Sequence, residues 1–215
     1  MTYPFPHGLP GLFIALEGGD GAGKSTQAAL LSRALEDSGR TVVRTREPGG
    51  TPIGEELRAL VLDHGHGDID ARTEALMFAA SRAAHVLQVI VPALERGDVV
   101  VCDRYVDSSV AYQGAGRGLG AQAVLEVNLW ATDALKPDLT VLLDVDPAEG
   151  RSRRTAGPAA EDRLESEPDD FHARIRSAFL ELADHEPGRY LVLASSGTPD
   201  ALHRAILDAL PRARP

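Results

Sequence analysis

The chain has 215 residues, of which 43% are hydrophobic and 25% charged, and its formal net charge at pH 7 is −10. This length suits one compact domain, and the composition is ordinary for a soluble globular protein. The acidic balance argues against a general nucleic-acid-binding surface, and no uninterrupted apolar run approaches the roughly 20 residues of a membrane span. The single cysteine, Cys102, lies in an apolar run, which predicts a buried thiol in a reducing, cytoplasmic compartment.

The first eleven residues differ in character from the rest of the chain. They contain three prolines and have neither a basic start nor an apolar stretch, so residues 1–11 are predicted to be a flexible extension rather than a signal peptide. Residues 12–215 are predicted to form a single domain.

Five apolar runs predict strands, at Leu12–Leu16, Thr41–Thr45, Val99–Cys102, Thr140–Asp144 and Tyr190–Leu193. Continuous runs of Val, Leu and Ile are typical of parallel strands buried on both faces. Helical patterns lie between the runs. We therefore expect an α/β fold, a five-stranded parallel sheet with helices on both faces, with ligands at the carboxyl ends of the strands.

The first predicted strand leads into a glycine-rich loop. Its residues are Gly18, Gly19, Asp20, Gly21, Ala22, Gly23, Lys24, Ser25 and Thr26, and the first eight fit G-x-x-x-x-G-K-[ST]. In such a loop backbone N–H groups surround phosphate, the lysine reaches the β- and γ-phosphates, and the serine hydroxyl can ligate Mg²⁺. The chain has only two lysines, Lys24 and Lys136, and one stands where the pattern needs it. Residues 18–26 are therefore predicted to bind ATP with Mg²⁺.

The third predicted strand ends in Asp103, Arg104 and Tyr105. A carboxylate that closes a buried strand beside the phosphate loop is placed to hold Mg²⁺ or its water, so Asp103 joins Ser25 as a predicted metal residue. Arg104 can bind a phosphate through two N–H groups. Taken alone, the pair also fits a helix cap and a surface ion pair. Asp144 is a second, less favoured carboxylate.

A long helix is predicted from about residue 71 to residue 96. Its packed face is expected to comprise Leu76, Ala79, Ala80, Ala83, Leu87, Ile90 and Leu94. Phe78 and Arg82 are four residues apart and share a face, which places a ring beside a guanidinium. A core aromatic beside a solvated arginine is the simpler alternative. Trp130, in a later helix over 121–133, is predicted to pack in the core rather than to stack on a base.

Arginines provide nearly all of the positive charge. Arg58 follows a Pro/Gly-rich loop at 45–52, and four arginines flank a flexible Ala/Gly/Pro segment: Arg151, Arg153, Arg154 and Arg163. This arrangement predicts a mobile flap at about 150–163 that closes over phosphates, with a solvated basic face as the alternative. No residue stands out as a general base. A phosphate monoester is already nucleophilic and largely ionised at pH 7, so the balance favours a nucleoside monophosphate kinase.

These motifs resemble one family, thymidylate kinase (dTMP kinase), over nearly the whole chain from Leu12. The resemblance rests on residues 17–26, 45–51, 78 with 82, 103–113, 136–140 and 162–165. It implies a P-loop nucleoside monophosphate kinase fold and ATP-dependent phosphorylation of dTMP to dTDP. The family consists of homodimers, so a homodimer is expected, with the long helix as the natural candidate for its interface.

The resemblance also implies roles at the acceptor nucleoside. It places Phe78 against the thymine ring and gives Arg82 a hydrogen bond to the base. Ser109 and Gln113 line the same pocket. Tyr112 lies under the deoxyribose, where a 2′-OH would clash.

At the phosphates, the resemblance implies that Asp20 faces the sugar 3′-OH and that Arg58 and Arg104 bind the acceptor phosphate. In this family the catalytic arginine lies either in the phosphate loop or in the flap. Residues 20–22 contain none, so the chain resembles the second, mostly bacterial kind. Arg153 aligns best with a flap position and Arg154 stands next to it, while Arg151 and Arg163 remain open alternatives.

Two other functions remain open. One is a kinase of the same fold that acts on another nucleoside monophosphate or on a deoxynucleoside, although the latter would need a base near its acceptor hydroxyl. The other is a P-loop switch or binding module, which would need a water-positioning residue and switch loops.

Overall fold

A five-stranded parallel sheet forms the centre of the computed structural model, which describes residues 7–156 and 160–210. The strands are β1 (Leu12–Glu17), β2 (Val42–Arg46), β3 (Val99–Asp103), β4 (Leu139–Asp144) and β5 (Tyr190–Ala194), in the order β2-β3-β1-β4-β5. Every neighbouring pair runs parallel. The predicted α/β fold class is thus confirmed.

Helices pack on both faces of this sheet. They are α1 (Lys24–Asp37), α2 (Pro52–Leu62), α3 (Ala71–His85), α4 (Val91–Glu95), α5 (Val106–Ser109), α6 (Ala121–Ala131), α7 (Pro147–Thr155), α8 (Asp169–His185) and α9 (Pro199–Ala209). Two π-helical segments, Val86–Ile90 and Val110–Gly116, follow α3 and α5. Alternate residues of β1 belong to different hydrophobic clusters, Ile14 on the face of α1 and Phe13 on the face of α4, because successive strand side chains point to opposite faces.

The helix predicted over residues 71–96 is not a uniform α-helix. It becomes π-helical at Val86 and returns to α-helix at Val91. Pro92 follows this wider turn. A proline cannot donate to the preceding turn and its ring crowds the carbonyl four residues back, so a π-bulge just before it relieves the conflict.

The predicted packed face of this helix is wrong at three positions, Leu76, Ala80 and Leu87, all of which are exposed. The side chains of Leu76 and Leu87 are 59% and 73% exposed. The buried face instead carries Glu74, Phe78 and Arg82 at intervals of four residues, because this face lines a polar cavity. Trp130 on α6 is 85% exposed, so its predicted core packing is also wrong.

The segment Ala71–Glu95 is long and apolar enough, by length and composition, to cross a membrane, and 39% of its most apolar part is buried. Arg82 and His85 lie inside this segment and both bind the buried carboxylate of Glu47, which comes from another part of the chain. One side of the helix therefore belongs to the protein interior, as in a core helix.

Residues 7–11 lie against the core instead of extending freely. The His7 Nε2 atom is 2.9 Å from Asp138 Oδ2, and the Gly11 N–H donates to the Leu94 carbonyl at 2.9 Å. These contacts tie the second half of the predicted extension to the sheet. Residues 1–6 of that extension lie outside the described residues.

Candidate active site

A cavity of about 500 Å³ opens where β1, β2 and β3 end. Sixteen predicted site residues line it: Asp20, Gly21, Gly23, Lys24, Ser25, Thr26, Arg58, Phe78, Arg82, Asp103, Arg104, Ser109, Tyr112, Gln113, Arg153 and Arg154. Gly18, Gly19 and Ala22 belong to the same loop but are not among the lining residues. The carboxyl ends of parallel strands are the usual place for a ligand in an open α/β sheet.

The phosphate loop follows β1 and ends at α1, whose N-cap is Gly23 in a left-handed conformation. Gly21 and Gly150 lie in close backbone contact, since a Cβ on Gly21 would stand 2.2 Å from the Gly150 carbonyl oxygen and one on Gly150 would stand 2.4 Å from the Asp20 carbonyl oxygen. Only glycine fits at both positions. The first turn of α7 is therefore held directly on the phosphate loop.

Lys24 folds back over this loop. Its Nζ donates to the Gly18 and Gly19 carbonyls at 3.0 and 2.8 Å, and the residue is 7% exposed. Burial, together with the nearby Arg104 charge, lowers the pKa of Lys24 to about 8. Phosphate oxygens are better partners for an ammonium than these neutral carbonyls, so the lysine is set to exchange them for an anionic ligand.

The two predicted metal residues are in direct contact, with the Ser25 hydroxyl donating to Asp103 Oδ2 at 2.7 Å. Both supply hard oxygen donors next to the phosphate loop. Mg²⁺ typically takes few protein ligands and completes its shell with water and phosphate oxygens. The donor set therefore fits Mg²⁺. Asp144, the less favoured carboxylate, instead receives Arg176 Nε at 2.6 Å and does not line the cavity.

Arg104 joins the loop to the acceptor side of the cavity. Its φ of +71° is unusual for a residue with a side chain, and such backbone strain is concentrated at functional sites. The guanidinium donates to the Gly18 carbonyl and to the Tyr112 hydroxyl, each at 3.1 Å, and pairs with Asp20. Burial alone would raise the pKa of Asp20, but Arg104 and Lys24 hold it well below its usual range.

Arg58 reaches the cavity from α2. Its Nη1 donates to the Pro48 carbonyl at 3.0 Å, so a neutral backbone oxygen also holds this guanidinium. Glu55, on the same helix, is bound by Arg46 at 2.8 Å and leaves Arg58 without a carboxylate partner among the described residues.

Phe78 and Arg82 lie on the buried face of α3, with 8% and 2% of their surface exposed. Four of the five N–H groups of Arg82 have acceptors, which are Glu47 Oε2 at 2.5 Å, Ser109 Oγ at 2.9 Å, Asn128 Oδ1 and the Tyr105 carbonyl at 3.1 Å. An arginine carries five such groups in a rigid plane. One N–H of Arg82 therefore has no acceptor in the part of the chain that the structure describes, and it is available for a ligand.

Glu47, His85 and Cys102 bring potential metal-ligand atoms within 4.8 Å of one another. Each is already used: Glu47 binds Arg82 and His85 Nδ1, and His85 Nε2 is 2.7 Å from the Thr45 hydroxyl. Burial raises the pKa of the Cys102 thiol well above its usual range, which disfavours the thiolate that a metal needs. The cluster is therefore a support for Arg82.

The four flap arginines divide into two pairs. Arg153 donates to the Ser195 hydroxyl at 2.8 Å and carbonyl at 3.0 Å, and Arg154 donates to Glu161 Oε1 at 2.8 Å. Both line the cavity. Arg151 and Arg163 do not line it; they pair with Asp169 and Glu74. Residues 157–159 of the predicted flap lie outside the described residues.

Sequence reasoning missed several groups that build this site. Glu17, the last residue of β1, accepts hydrogen bonds from the Tyr105 N–H at 2.8 Å and from the Ser108 hydroxyl at 2.6 Å. Burial and the nearby Asp107 charge raise its pKa to about 7. A charged residue at the end of an otherwise apolar strand was the available signal. Glu47, the residue after β2, had no such signal, because β2 itself contains Arg44 and Arg46.

The lining of the cavity has the opposite charge balance from the whole chain. Its cationic residues are Lys24, Arg46, Arg58, Arg82, Arg104, Arg153 and Arg154, and its acidic residues are Asp20, Glu47, Asp103, Asp162 and Glu165. A net positive lining in a chain of net charge −10 concentrates attraction for anions at one place.

Comparison with known proteins agrees with this geometry. A family model described as thymidylate kinase matches residues 16–206. The thymidylate kinase of Leifsonia xyli subsp. xyli is 60% identical over 89% of this chain and 90% of that protein, and the one from Clavibacter michiganensis is 57% identical over 92% and 93%. The crystal structure of thymidylate kinase from Ehrlichia chaffeensis superposes with a TM-score of 0.76 at 32% identity, covering 94% of this chain and 99% of that one.

Proposed function

The chain belongs to the thymidylate kinase family and phosphorylates dTMP to dTDP at the expense of ATP, and on that premise we propose how its residues divide the work. The two nucleotides lie end to end in the one cavity, with ATP over the phosphate loop and dTMP toward α3. The observation that carries this proposal is that Lys24, Arg104 and Phe78 line the same cavity.

At the acceptor end, Phe78 stacks on the thymine ring, and the free N–H of Arg82 donates to a base carbonyl. Ser109 helps to hold the Arg82 guanidinium at 2.9 Å, and Gln113 lines the rest of the base pocket. Tyr112 lies below the deoxyribose. Its hydroxyl donates to Asp20 Oδ2 at 2.6 Å, which closes the space that a ribose 2′-OH would need.

The acceptor phosphate binds between Arg58 and Arg104. Arg58 leaves the Pro48 carbonyl for it, because a phosphate oxygen is the stronger acceptor. Asp20 faces the sugar 3′-OH and keeps Arg104 oriented through their ion pair.

At the donor end, residues 18–26 surround the phosphates of ATP and Lys24 contacts the β- and γ-phosphates. Ser25 and Asp103 are the residues that hold Mg²⁺, directly or through its water. When bound, Mg²⁺ neutralises charge on the phosphates and aligns them.

Transfer needs no protein base in this arrangement. The dTMP phosphate is already ionised and attacks the γ-phosphorus in line, while the bond to the β-phosphate oxygen breaks and ADP leaves. The chain contributes orientation and positive charge, from Lys24, Arg104 and the flap arginines Arg153 and Arg154. Flap closure also keeps water from competing as acceptor.

A coupled ADP-release assay tests this assignment with dTMP, dUMP, dGMP, CMP and AMP offered separately, together with a sample lacking acceptor. We expect dTMP to give the highest kcat/KM and the sample without acceptor to give little ADP. ADP release that is indifferent to dTMP would contradict the proposed acceptor site.

We further propose that two copies associate through the outer surfaces of α2, α3 and α6. These neighbouring helices, with the π-helical segment that continues α3, carry the exposed apolar residues Ile53, Leu60, Leu76, Leu87 and Trp130, which are 42% to 85% exposed. Exposed apolar patches of this kind usually mark interaction sites. The same contact explains why Ala71–Glu95 is apolar enough to resemble a membrane span: its outer face is apolar because a second copy covers it.

Light scattering after size exclusion checks the dimer. Leu87→Glu should shift the molecular mass from that of two chains to that of one, because it places a charge in an apolar contact. Arg33→Glu on α1 is a control for the added acid. A wild-type mass of one chain at micromolar concentration would exclude the dimer.

We place the enzyme in the cytoplasm, where its buried single thiol stays reduced.

A further inference from the structure

Glu74 is a fully buried carboxylate at the edge of the base pocket. It lies on the first turn of α3, one helical turn before Phe78. Its Oε1 accepts a hydrogen bond from Gln113 Nε2 at 2.9 Å, and its Oε2 accepts one from Arg163 Nη2 at 2.6 Å. Arg117 donates to both oxygens at 3.2 Å. Glu74 thus joins α3, the second π-helical segment and the distal end of the flap.

This arrangement fixes which way the Gln113 amide points. Both oxygens of Glu74 accept hydrogen bonds from guanidinium groups, so each of them acts as an acceptor. The NH₂ group of Gln113 therefore has to face Glu74. Turning the amide by 180° would set its oxygen against the carboxylate and lose a charge-assisted hydrogen bond.

The oxygen of Gln113 consequently faces the other way. Gln113 lines the cavity although it is 1% exposed. Its backbone carbonyl accepts from the Leu119 N–H at 3.3 Å, whereas its side-chain amide oxygen, Oε1, has no hydrogen-bond donor among the described residues. The cavity wall next to Phe78 thus offers an acceptor from Gln113 and a donor from Arg82.

A base edge with N–H beside C=O complements this pair. Thymine and uracil present N3–H next to O4, whereas cytosine presents an N3 acceptor next to an N4 amino donor, which is the reverse pattern. A site built to hydrogen-bond one pattern rejects the other strongly, because its buried polar groups are left unpaired.

We propose that Glu74 is a specificity-determining positioning residue: by holding the Gln113 amide with its oxygen toward the cavity, it makes the acceptor pocket select thymine over cytosine. Glu74 does not touch the substrate. The inference rests on the placement of the base beside Phe78, Arg82 and Gln113 given under Proposed function.

The test compares kcat/KM for dTMP and dCMP in Glu74→Gln. This variant keeps the size of the side chain but lets either end of the Gln113 amide face it. We expect the dTMP-to-dCMP ratio of kcat/KM to fall at least about tenfold, mainly through KM for dTMP, while KM for ATP changes less than about twofold. An unchanged ratio would overturn the proposal.

Glu167→Gln is the matched control. Glu167 binds Arg117 Nη1 at 2.5 Å, so the variant makes the same chemical change and weakens the same arginine without touching Gln113. Its ratio should remain that of the wild type. A fall equal to that of Glu74→Gln would assign the effect to ion pairing and overturn the proposal.

Gln113→Met separates this proposal from the base pocket itself. The substitution should raise KM for dTMP, and Glu74→Gln added to it should change the ratio less than about twofold, because the amide through which Glu74 acts is gone. An unchanged KM for dTMP in Gln113→Met would contradict the proposed base pocket. A full additional loss of selectivity in the double variant would overturn the role of Glu74 alone.

A measurement on the wild-type enzyme tests the proposal even if the Glu74 variants do not fold. The Gln113 side-chain NH₂ signals, assigned by their loss in Gln113→Met, should exchange with solvent far more slowly than those of an exposed glutamine, with and without dTMP. Exchange as fast as that of an exposed glutamine would overturn the proposal.

Discussion

The two ends of the cavity hold their functional side chains in different ways. At the base end, Arg82 is bonded to a carboxylate, a hydroxyl, an amide and a carbonyl, and is 2% exposed. At the phosphate end, Lys24 and Arg58 donate hydrogen bonds to neutral backbone carbonyls. Arg153 also donates to the Ser195 carbonyl. The base end thus holds Arg82 in place before any ligand arrives, whereas Lys24 and Arg58 at the phosphate end are held by neutral oxygens that a phosphate can replace. The other cations of the phosphate end are paired with carboxylates, Arg104 with Asp20, Arg153 with Glu149 and Arg154 with Glu161.

The largest effect should come from the phosphate end. Lys24→Ala removes the cation that contacts the transferring group, and kcat should fall about 10³-fold or more in a coupled ADP-release assay. Lys136→Ala removes the other lysine, which pairs with Glu186 on the surface, and should retain wild-type activity. Turnover of Lys24→Ala within about tenfold of wild type would contradict the phosphate-loop assignment.

The flap arginines should rank next. Arg153→Ala is expected to lower kcat about 10²-fold or more with little change in KM for dTMP, because its charge acts on the transition state. Arg154→Ala should be measured beside it, since Arg154 also lines the cavity. Arg151→Ala, which removes a pairing with Asp169, serves as the flap control. An unchanged kcat for Arg153→Ala, with a loss in Arg154→Ala, would transfer the role to Arg154.

The base end should respond through affinity instead. Phe78→Ala is expected to raise KM for dTMP about 10- to 100-fold, because stacking on an aromatic ring contributes roughly 1–3 kcal/mol per base. KM for ATP is the internal control and should change little. An equal rise in KM for dTMP and for ATP would contradict the placement of Phe78 in the base pocket and the proposed difference between the two ends.

The smallest effect should be a pH dependence of ATP binding. The pKa of Lys24 is lowered to about 8, so the lysine is charged below that pH and progressively neutral above it. ATP affinity should therefore be level below about pH 7 and fall about tenfold between pH 7 and pH 9 in a calorimetric titration. Lys24→Arg keeps its charge throughout this range and should give a flat profile. A wild-type profile that is equally flat would show that Lys24 stays protonated.

The residues of the phosphate end could largely be predicted from the sequence. A phosphate loop is a local pattern, in which spacing along the chain determines the geometry. The same holds for the five strands, whose apolar runs gave the sheet to within a residue or so at each end.

The base end was less readable because its supports come from distant parts of the chain. Glu47 and Asn128 reach Arg82 from the loop after β2 and from α6, and Gln113 reaches Glu74 from the second π-helical segment, so no local pattern connects these pairs. The buried face of the helix that carries Phe78 was predicted wrongly for a related reason. Apolar residues such as Leu87 were expected to face inward, but the inward face belongs to the polar cavity and the apolar one lies outside.

The contact between Gly21 and Gly150 limits how the enzyme can close. Backbone touches backbone there, so the start of α7 cannot swing away without separating from the loop that holds the triphosphate. We therefore expect any flap movement to pivot beyond Gly150, at the residues just before Arg153. The absence of a Cβ at both glycines would then couple the position of Arg153 to the loop that we propose binds ATP.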